Sequence, residues 1–142
     1  MFLGTYEYRI DDKGRIALPP KFREPLRHGV VMTRGLERCI AVYPVAEWDK
    51  MSQRLERQPL PRSKVRRINR FMFATAFSAE VDGQGRIPLP ASLRHYADID
   101  SDAIVAGVNT YFEIWSKPNW EAESGLMENQ AWQIIETTEE RS

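Results

Sequence analysis

A nine-residue stretch of this 142-residue chain is nearly repeated 71 positions later: DDKGRIALP, residues 11–19, returns as DGQGRIPLP, residues 82–90. Such a duplication constrains the fold strongly, because both copies must form the same structural unit. Six residues of the first copy are identical to their counterparts: Asp11, Gly14, Arg15, Ile16, Leu18 and Pro19. Shortly after the first copy, Arg23 also matches Arg94. With one further residue inserted, the alignment also pairs Trp48 with Trp120. The sequence therefore predicts two similar halves, each of about seventy residues.

Each half has mostly the pattern of β-strands. Tyr6 and Tyr8 alternate with charged residues, which is the period-2 pattern of a half-buried strand. A turn follows in which Gly14 can adopt a positive φ, and Pro19 ends the next strand because proline cannot donate to a β-ladder. A short helical turn and two more strands complete the half, and the second half repeats this order. We expect a fold that is mainly β with added helices, in the α+β class.

Two helix candidates lie between the halves, and a third lies near the C-terminus. In the first, Trp48, Met51 and Leu55 recur at i, i+3 and i+7 and form an apolar stripe typical of core packing. The second covers residues 64–76 and the third residues 127–136. The chain is thus divided into a first half, a connecting helical segment, a second half and an acidic helical tail: residues 1–50, 51–76, 77–120 and 121–142.

Charge is distributed unevenly, although the formal net charge is zero. Residues 1–95 hold 18 Lys and Arg against 10 Asp and Glu, a balance of +8, whereas residues 96–142 hold 2 against 10, a balance of −8. This asymmetry indicates a basic working surface and an acidic tail. The Arg-rich stretch 64–70 has three interpretations: it contacts DNA, it pairs with the acidic tail of the same or a neighbouring chain, or it is simply solvated.

Several classes of function find no support. The single Cys39 rules out an intrachain disulfide, and one cysteine with two histidines makes a zinc site improbable. His28 and His95 do not coincide under the repeat, and GQGRIP lacks the third glycine of a dinucleotide-binding loop. The N-terminus does not resemble a secretory signal, and no apolar run is long enough to span a bilayer. We expect a cytoplasmic, non-enzymatic protein without a metal, a cofactor, a small-molecule substrate or a membrane partner.

The repeated polar unit is Asp-x-x-x-Arg, as Asp11 to Arg15 and as Asp82 to Arg86. In a tight turn between two strands, positions i and i+4 are brought side by side. The carboxylate can then accept hydrogen bonds from the backbone or from the arginine, and the guanidinium can face a phosphate or a guanine edge. A purely local salt bridge that ties the loop is the alternative.

These residues carry a resemblance to the MraZ family of bacterial transcriptional regulators. The similarity covers roughly residues 1–128. The stretches that carry it are DDKGRIALPPKFRE, TRGLERCIAVYPVAEW, DGQGRIPLPASLR and YFEIWSKPNWE. The resemblance implies two AbrB-like (SpoVT-AbrB) halves that form a swapped-hairpin β-barrel with added helices. It also implies a ring-like homo-oligomer in the nucleoid, which binds repeated promoter sequences in double-stranded DNA upstream of its own division and cell-wall gene cluster.

Carried over residue by residue, the family's DNA-binding motif falls on Asp11 with Arg15 and on Asp82 with Arg86. The first loop is the more basic one, since Lys13 corresponds to the neutral Gln84. We therefore expect the first loop to attract phosphates and Arg86 to add a weaker or more sequence-selective contact. The DNA-binding candidates are Arg9, Lys13, Arg15, Lys21, Arg23 and Arg86. The residues expected to shape the loops are Asp11, Gly14, Asp82 and Gly85.

One alternative function belongs to a different class. A protein of the same AbrB-type architecture could act as a protein-interaction or antitoxin-like module. An exposed apolar tail that folds on a partner would favour this interpretation, as would DNA binding that survives the loss of both motif arginines.

Overall fold

The structure is a computed structural model that describes residues 1–141, with side chains for residues 1–138. The last residue of the predicted tail, at position 142, lies outside the described residues. The strands are β1 (Thr5–Arg9), β2 (Arg15–Ala17), β3 (Val30–Arg34), β4 (Ile40–Pro44), β5 (Phe77–Ala79), β6 (Arg86–Pro88), β7 (Asp102–Gly107) and β8 (Phe112–Ser116). The helices are α1 (Pro20–Arg23), α2 (Val45–Glu56), α3 (Arg62–Met72), α4 (Ala91–Tyr96) and α5 (Lys117–Arg141).

The two halves exchange strands. Six strands form one antiparallel sheet in the order β1-β7-β8-β4-β3-β5, so the first strand of each half pairs with a strand of the other half. The remaining strands, β2 and β6, pair with each other in a separate two-stranded ribbon. The predicted α+β class and the duplication are confirmed, and each half supplies matching elements in the same order.

The predicted barrel is not closed. Strands β1 and β5 form the two edges of the large sheet and do not pair with each other. The ribbon strands are only three residues long, and Pro19 and Pro90 follow shortly after them. Proline lacks the N–H that a ladder requires, so the ribbon ends early and lies over the sheet without joining it.

The main core lies between the ribbon and one face of the large sheet. Ile16 and Ile87 are partners in the ribbon, and both are fully buried. Phe22 of α1 is also buried, and its ring packs edge-on against Phe2 with their centroids 4.9 Å apart. Because both halves contribute matching apolar residues to this core, neither half could bury it alone.

Helices cover the opposite face of the sheet. Met51 is buried in a cluster with Ala41 and Tyr43, and Trp48 and Leu55 pack against that cluster. The predicted core stripe of the first connecting helix is therefore confirmed. A separate cluster nearby includes Trp115 of β8 and Trp120 of α5.

Two helix boundaries differ from the sequence-based prediction. α3 covers Arg62–Met72, whereas the second connecting helix was expected over residues 64–76. α5 begins at Lys117, ten residues before the predicted helix at 127–136. Pro118 is compatible with a first helical turn, where no N–H partner is needed, and the packing of Trp120 on Trp115 fixes this turn against the sheet.

Candidate nucleic-acid interface

The two Asp-x-x-x-Arg turns have the same backbone geometry. We call residues 11–15 the first tip and residues 82–86 the second tip. In the first tip, the N–H of Asp11 donates to the carbonyl of Arg15 at 2.9 Å; the corresponding distance in the second tip is also 2.9 Å. Gly14 and Gly85 both have a φ of +75°, which glycine adopts at little cost. The repeat in sequence is thus a repeat in conformation.

In each tip, the aspartate carboxylate binds both the backbone and the arginine. Oδ1 of Asp11 accepts from the N–H groups of Lys13 and Arg15, both at 2.9 Å, and Oδ2 accepts from Nε of Arg15 at 2.8 Å. The three equivalent contacts of Asp82, with Gln84 and Arg86, are all 2.9 Å long. One side chain therefore fixes the shape of the turn and the direction of the guanidinium together.

Pairing of β2 with β6 brings the two arginines to the same place. An Nη atom of Arg86 lies 3.9 Å from Oδ2 of Asp11, so this carboxylate is flanked by both guanidiniums. The side chains of Arg15 and Arg86 are 29% and 26% exposed. Among the side chains described in residues 1–138, each guanidinium donates hydrogen bonds only through Nε. The Nη groups of both arginines therefore keep donors for a ligand.

A second pair of arginines connects each half to the tip of the other half. Arg23 donates from Nε and Nη2 to the carbonyl of Leu18, at 3.2 and 3.0 Å. Its guanidinium lies so close to Gly85 that a Cβ there would be 2.2 Å from Cζ of Arg23. Arg23 was assigned to DNA binding, and that assignment stays a prediction. The geometry gives the residue a positioning contact as well.

Arg94 makes the reciprocal contact. Its Nε donates to the carbonyl of Leu89 at 2.9 Å, and a Cβ on Gly14 would be 3.1 Å from its Nη2. Sequence reasoning did not include Arg94 among the site residues. The signal was present, because Arg94 is the counterpart of Arg23 under the repeat.

The remaining basic candidates, Lys13, Lys21 and Arg9, have exposed side chains. The side chain of Arg9 is 83% exposed, and its Nε is 3.9 Å from Asp102. An ion pair at that distance and exposure is weak and leaves the charge available.

Hydrogen bonding lowers the pKa of both aspartates. For Asp11 the largest cause is the hydrogen bond from the backbone N–H of Arg15, which favours the charged carboxylate, and the Arg15 guanidinium adds to it. The pKa of Asp82 is lowered in the same way, first by the backbone N–H of Arg86. The ionised carboxylate is therefore the form that belongs to the ordered turn.

We expect the tips to loosen in acid, since this stabilisation needs the charged carboxylates. The ordinary pKa of an aspartate is 3.8, and folding lowers the pKa of Asp11 and Asp82 below it. Each carboxylate therefore stabilises the fold at a pH above 3.8, and this contribution is lost as the pH falls through the lowered pKa. Carboxyl carbon NMR titration should find both groups titrating below 3.8. Asp82→Asn should remove one of these titrations and leave the other. A carboxyl that titrates at or above the ordinary value would contradict the observed hydrogen bonding.

A second group of arginines lies at the turn between β3 and β4. Cζ of Arg34 is 5.5 Å from the ring centroid of Phe71 and 5.3 Å from that of Tyr96, and Cζ of Arg38 is 5.2 Å from Tyr96. These are cation–π distances. Sequence reasoning did not select these arginines, because Ala106 and Thr110 occupy the corresponding places in the second half and the repeat gave no signal.

Two other kinds of site are absent from the part of the chain that the structure describes. Among the side chains described in residues 1–138, no three His, Cys, Asp or Glu residues come together in a way that could hold a metal ion. No helix in the same range combines the length and the apolar character needed to cross a membrane. The two tips therefore remain the main candidate site.

Comparison with known proteins places the chain among close relatives. The family model described as "MraZ protein, putative antitoxin-like" matches it twice, over residues 1–71 and 72–141. A "Transcriptional regulator MraZ" from Dehalococcoides mccartyi is 49% identical over 141 residues, 99% of each chain. Proteins with the same name are 47% identical in Moorella thermoacetica, over 121 residues and 85% of each chain, and 40% identical in Roseiflexus castenholzii, over 131 residues and 92% of each chain.

Proposed function

Because the chain belongs to the MraZ family, we propose that it is a sequence-specific DNA-binding transcriptional regulator that contacts double-stranded DNA through its two tips. One observation carries the proposal: two turns with the same backbone geometry lie side by side, and each presents an arginine fixed by a carboxylate four residues earlier. The curated relatives named above are transcriptional regulators by name, which supports the same class for this chain.

The fixed guanidiniums suit DNA recognition. An arginine whose Nε is already bound to a carboxylate loses less side-chain freedom when its Nη groups bind a ligand. Those groups can donate two hydrogen bonds in a bidentate contact with a phosphate or with the O6 and N7 atoms of guanine. We assign the phosphate contacts mainly to the first tip, where Lys13 adds a charge that Gln84 does not supply. Arg86 then makes the more sequence-selective contact.

A homo-oligomer would strengthen this binding. A protomer with so few cationic contacts would bind DNA with a dissociation constant of about 10⁻⁴–10⁻⁶ M at physiological salt. Linked modules can gain on the order of 10²–10⁴ in avidity. We therefore propose a ring-like homo-oligomer that acts in the cytoplasm, at the nucleoid, on regularly repeated promoter sites. By family resemblance, these sites lie upstream of the protein's own division and cell-wall gene cluster.

The proposal can be tested by titrating the purified protein with DNA from upstream of its own gene at about 50 and about 200 mM salt. We expect this DNA to bind at least about 10³-fold more tightly than a scrambled sequence of the same composition. Affinity for both DNAs should fall as salt rises, because bound cations release counterions. Equal affinity for the two sequences would contradict sequence-specific recognition.

The antitoxin-like module remains the second candidate, and one observation favours it. The outer part of α5 exposes large apolar side chains, including Trp132 at 70% and Ile134 at 63%. A surface of this kind is typical of a protein-binding site. DNA binding that persists after loss of both Arg15 and Arg86 would favour this candidate over the first.

A further inference from the structure

The outer part of α5 has the features of an interface. Only the start of this 25-residue helix packs on the sheet, through Trp120, and every residue from Gly125 to Thr138 is exposed. At about 1.5 Å per residue, that exposed part is roughly 20 Å long. Its large exposed apolar side chains are Leu126, Met127, Trp132, Ile134 and Ile135.

Several of these side chains form one stripe. Met127, Ala131, Ile134 and Ile135 recur at i, i+4, i+7 and i+8, which places them on the same face of the helix. Helices in proteins owe most of their stability to the packing of such a face, because isolated helices of this length are marginal in water. Within the described part of the chain nothing covers the stripe, so a second molecule is its natural partner.

Charge indicates which surface that partner offers. Between residues 118 and 138, α5 carries four glutamates and no basic residue. α3 carries five basic residues and no acidic one, and all five are exposed: Arg62, Lys64, Arg66, Arg67 and Arg70. Among the side chains of residues 1–138, no ion pair joins α3 to α5. The basic helix α3 and the acidic helix α5 therefore do not neutralise each other within the described part of one chain.

The two helices lie over different parts of the sheet. α3 packs near β3, whereas the start of α5 packs near β7 and β8. Val65 and Ile68 of α3 are half-buried and lie on the same side as Met72, which packs on the buried cluster around Met51 of the same chain. The outer side of α3 is therefore the basic one, and this exposed side, with the accessible edges of Val65 and Ile68, can receive an apolar stripe that is flanked by glutamates.

We propose that α5 of one protomer docks on α3 of a second copy of the chain. The contact is heterologous, since each protomer offers two different surfaces, so each copy gives one tail and receives another. Such contacts extend head to tail and produce a ring when the rotation between neighbours closes. The inference rests on the homo-oligomer in the proposed function and assigns its interface. DNA contact by the two tips does not depend on it.

Two variants damage opposite sides of the interface. Ile134→Asn places an amide in the apolar stripe, and its matched control is Gln133→Asn, one position away and off the stripe. Arg66→Glu combined with Arg67→Glu reverses the charge on α3. Mass photometry of the full-length wild type should show an oligomer, and so should the Gln133→Asn control. Each interface variant alone should dissociate to protomers, with a dissociation constant at least 10-fold higher, while circular dichroism shows it folded.

Mixing the two variants gives the decisive result. The α3 variant keeps an intact tail and the tail variant keeps an intact α3, so the mixture should form one good interface and yield dimers that do not extend. A mixture without dimers, or interface variants that assemble like the wild type, would overturn the docking of α5 on α3. A wild type that is monomeric at every concentration would instead refute the homo-oligomer itself. Capture of an unrelated protein by α5 in place of a second copy would also overturn the inference.

Discussion

Replacing both Arg15 and Arg86 by alanine is expected to reduce the protein's affinity for its upstream DNA by about 10²–10⁴-fold. Each good bidentate contact to a base or phosphate contributes roughly 1–3 kcal/mol to the binding free energy, and the contributions of two separate contacts are approximately additive. The Nη groups that remain available in the folded chain are lost in this variant, while the backbone hydrogen bonds of both turns can persist. Fluorescence anisotropy with a labelled promoter fragment measures the effect.

The two single variants should differ in their salt dependence. Each phosphate contact that is lost should lower the slope of log K against log salt by roughly 0.9. We expect that decrease for Arg15→Ala, whereas Arg86→Ala should lose affinity mainly for the specific sequence. Arg54→Ala is the matched control, because Arg54 is an exposed arginine of α2, on the sheet face opposite the ribbon. A larger change in slope for Arg86→Ala would reverse the assignment of the two tips.

The shape of each tip could be predicted from the sequence because it is local. Asp11 and Arg15 are four residues apart, and the turn between them brings carboxylate and guanidinium together without help from the rest of the fold. The same holds for Asp82 and Arg86. The repeat then extends the prediction from residues 11–15 to residues 82–86, because the same Asp-x-x-x-Arg pattern favours the same turn in both halves.

Relations between the halves could not be predicted in this way. Whether β1 pairs within its own half or with β7 depends on contacts nearly one hundred residues apart in sequence, which periodicity does not encode. The contacts of Arg23 with Gly85 and of Arg94 with Gly14 arise only after the halves interleave. The start of α5 was missed for a similar reason, because the packing of Trp120 on Trp115 extends the helix backwards past a stretch with no apolar period.

These contacts between the halves predict a large loss of stability for Gly85→Ala. A non-glycine residue at a φ of +75° costs roughly 1–2 kcal/mol. The new Cβ would also lie 2.2 Å from Cζ of Arg23, so this side chain must move and give up its hydrogen bonds to Leu18. Adding about 0.5–1.5 kcal/mol for each of the two hydrogen bonds gives a total of about 2–5 kcal/mol. Thermal unfolding followed by circular dichroism should show a decrease in Tm of about 7–17 °C.

Gly14→Ala is the matched control, since Gly14 has the same φ but a Cβ there would be 3.1 Å from the end of Arg94. It should cost only the backbone term, about 1–2 kcal/mol. Once Arg23→Ala has removed the obstructing guanidinium, Gly85→Ala should cost no more than Gly14→Ala does. A Gly85→Ala penalty that Arg23→Ala leaves unchanged would mean that Arg23 does not position the second tip. If Arg23→Ala also lowers the salt slope of DNA binding by roughly 0.9, the same side chain contacts a phosphate as well; an unchanged slope would leave Arg23 with the positioning role alone.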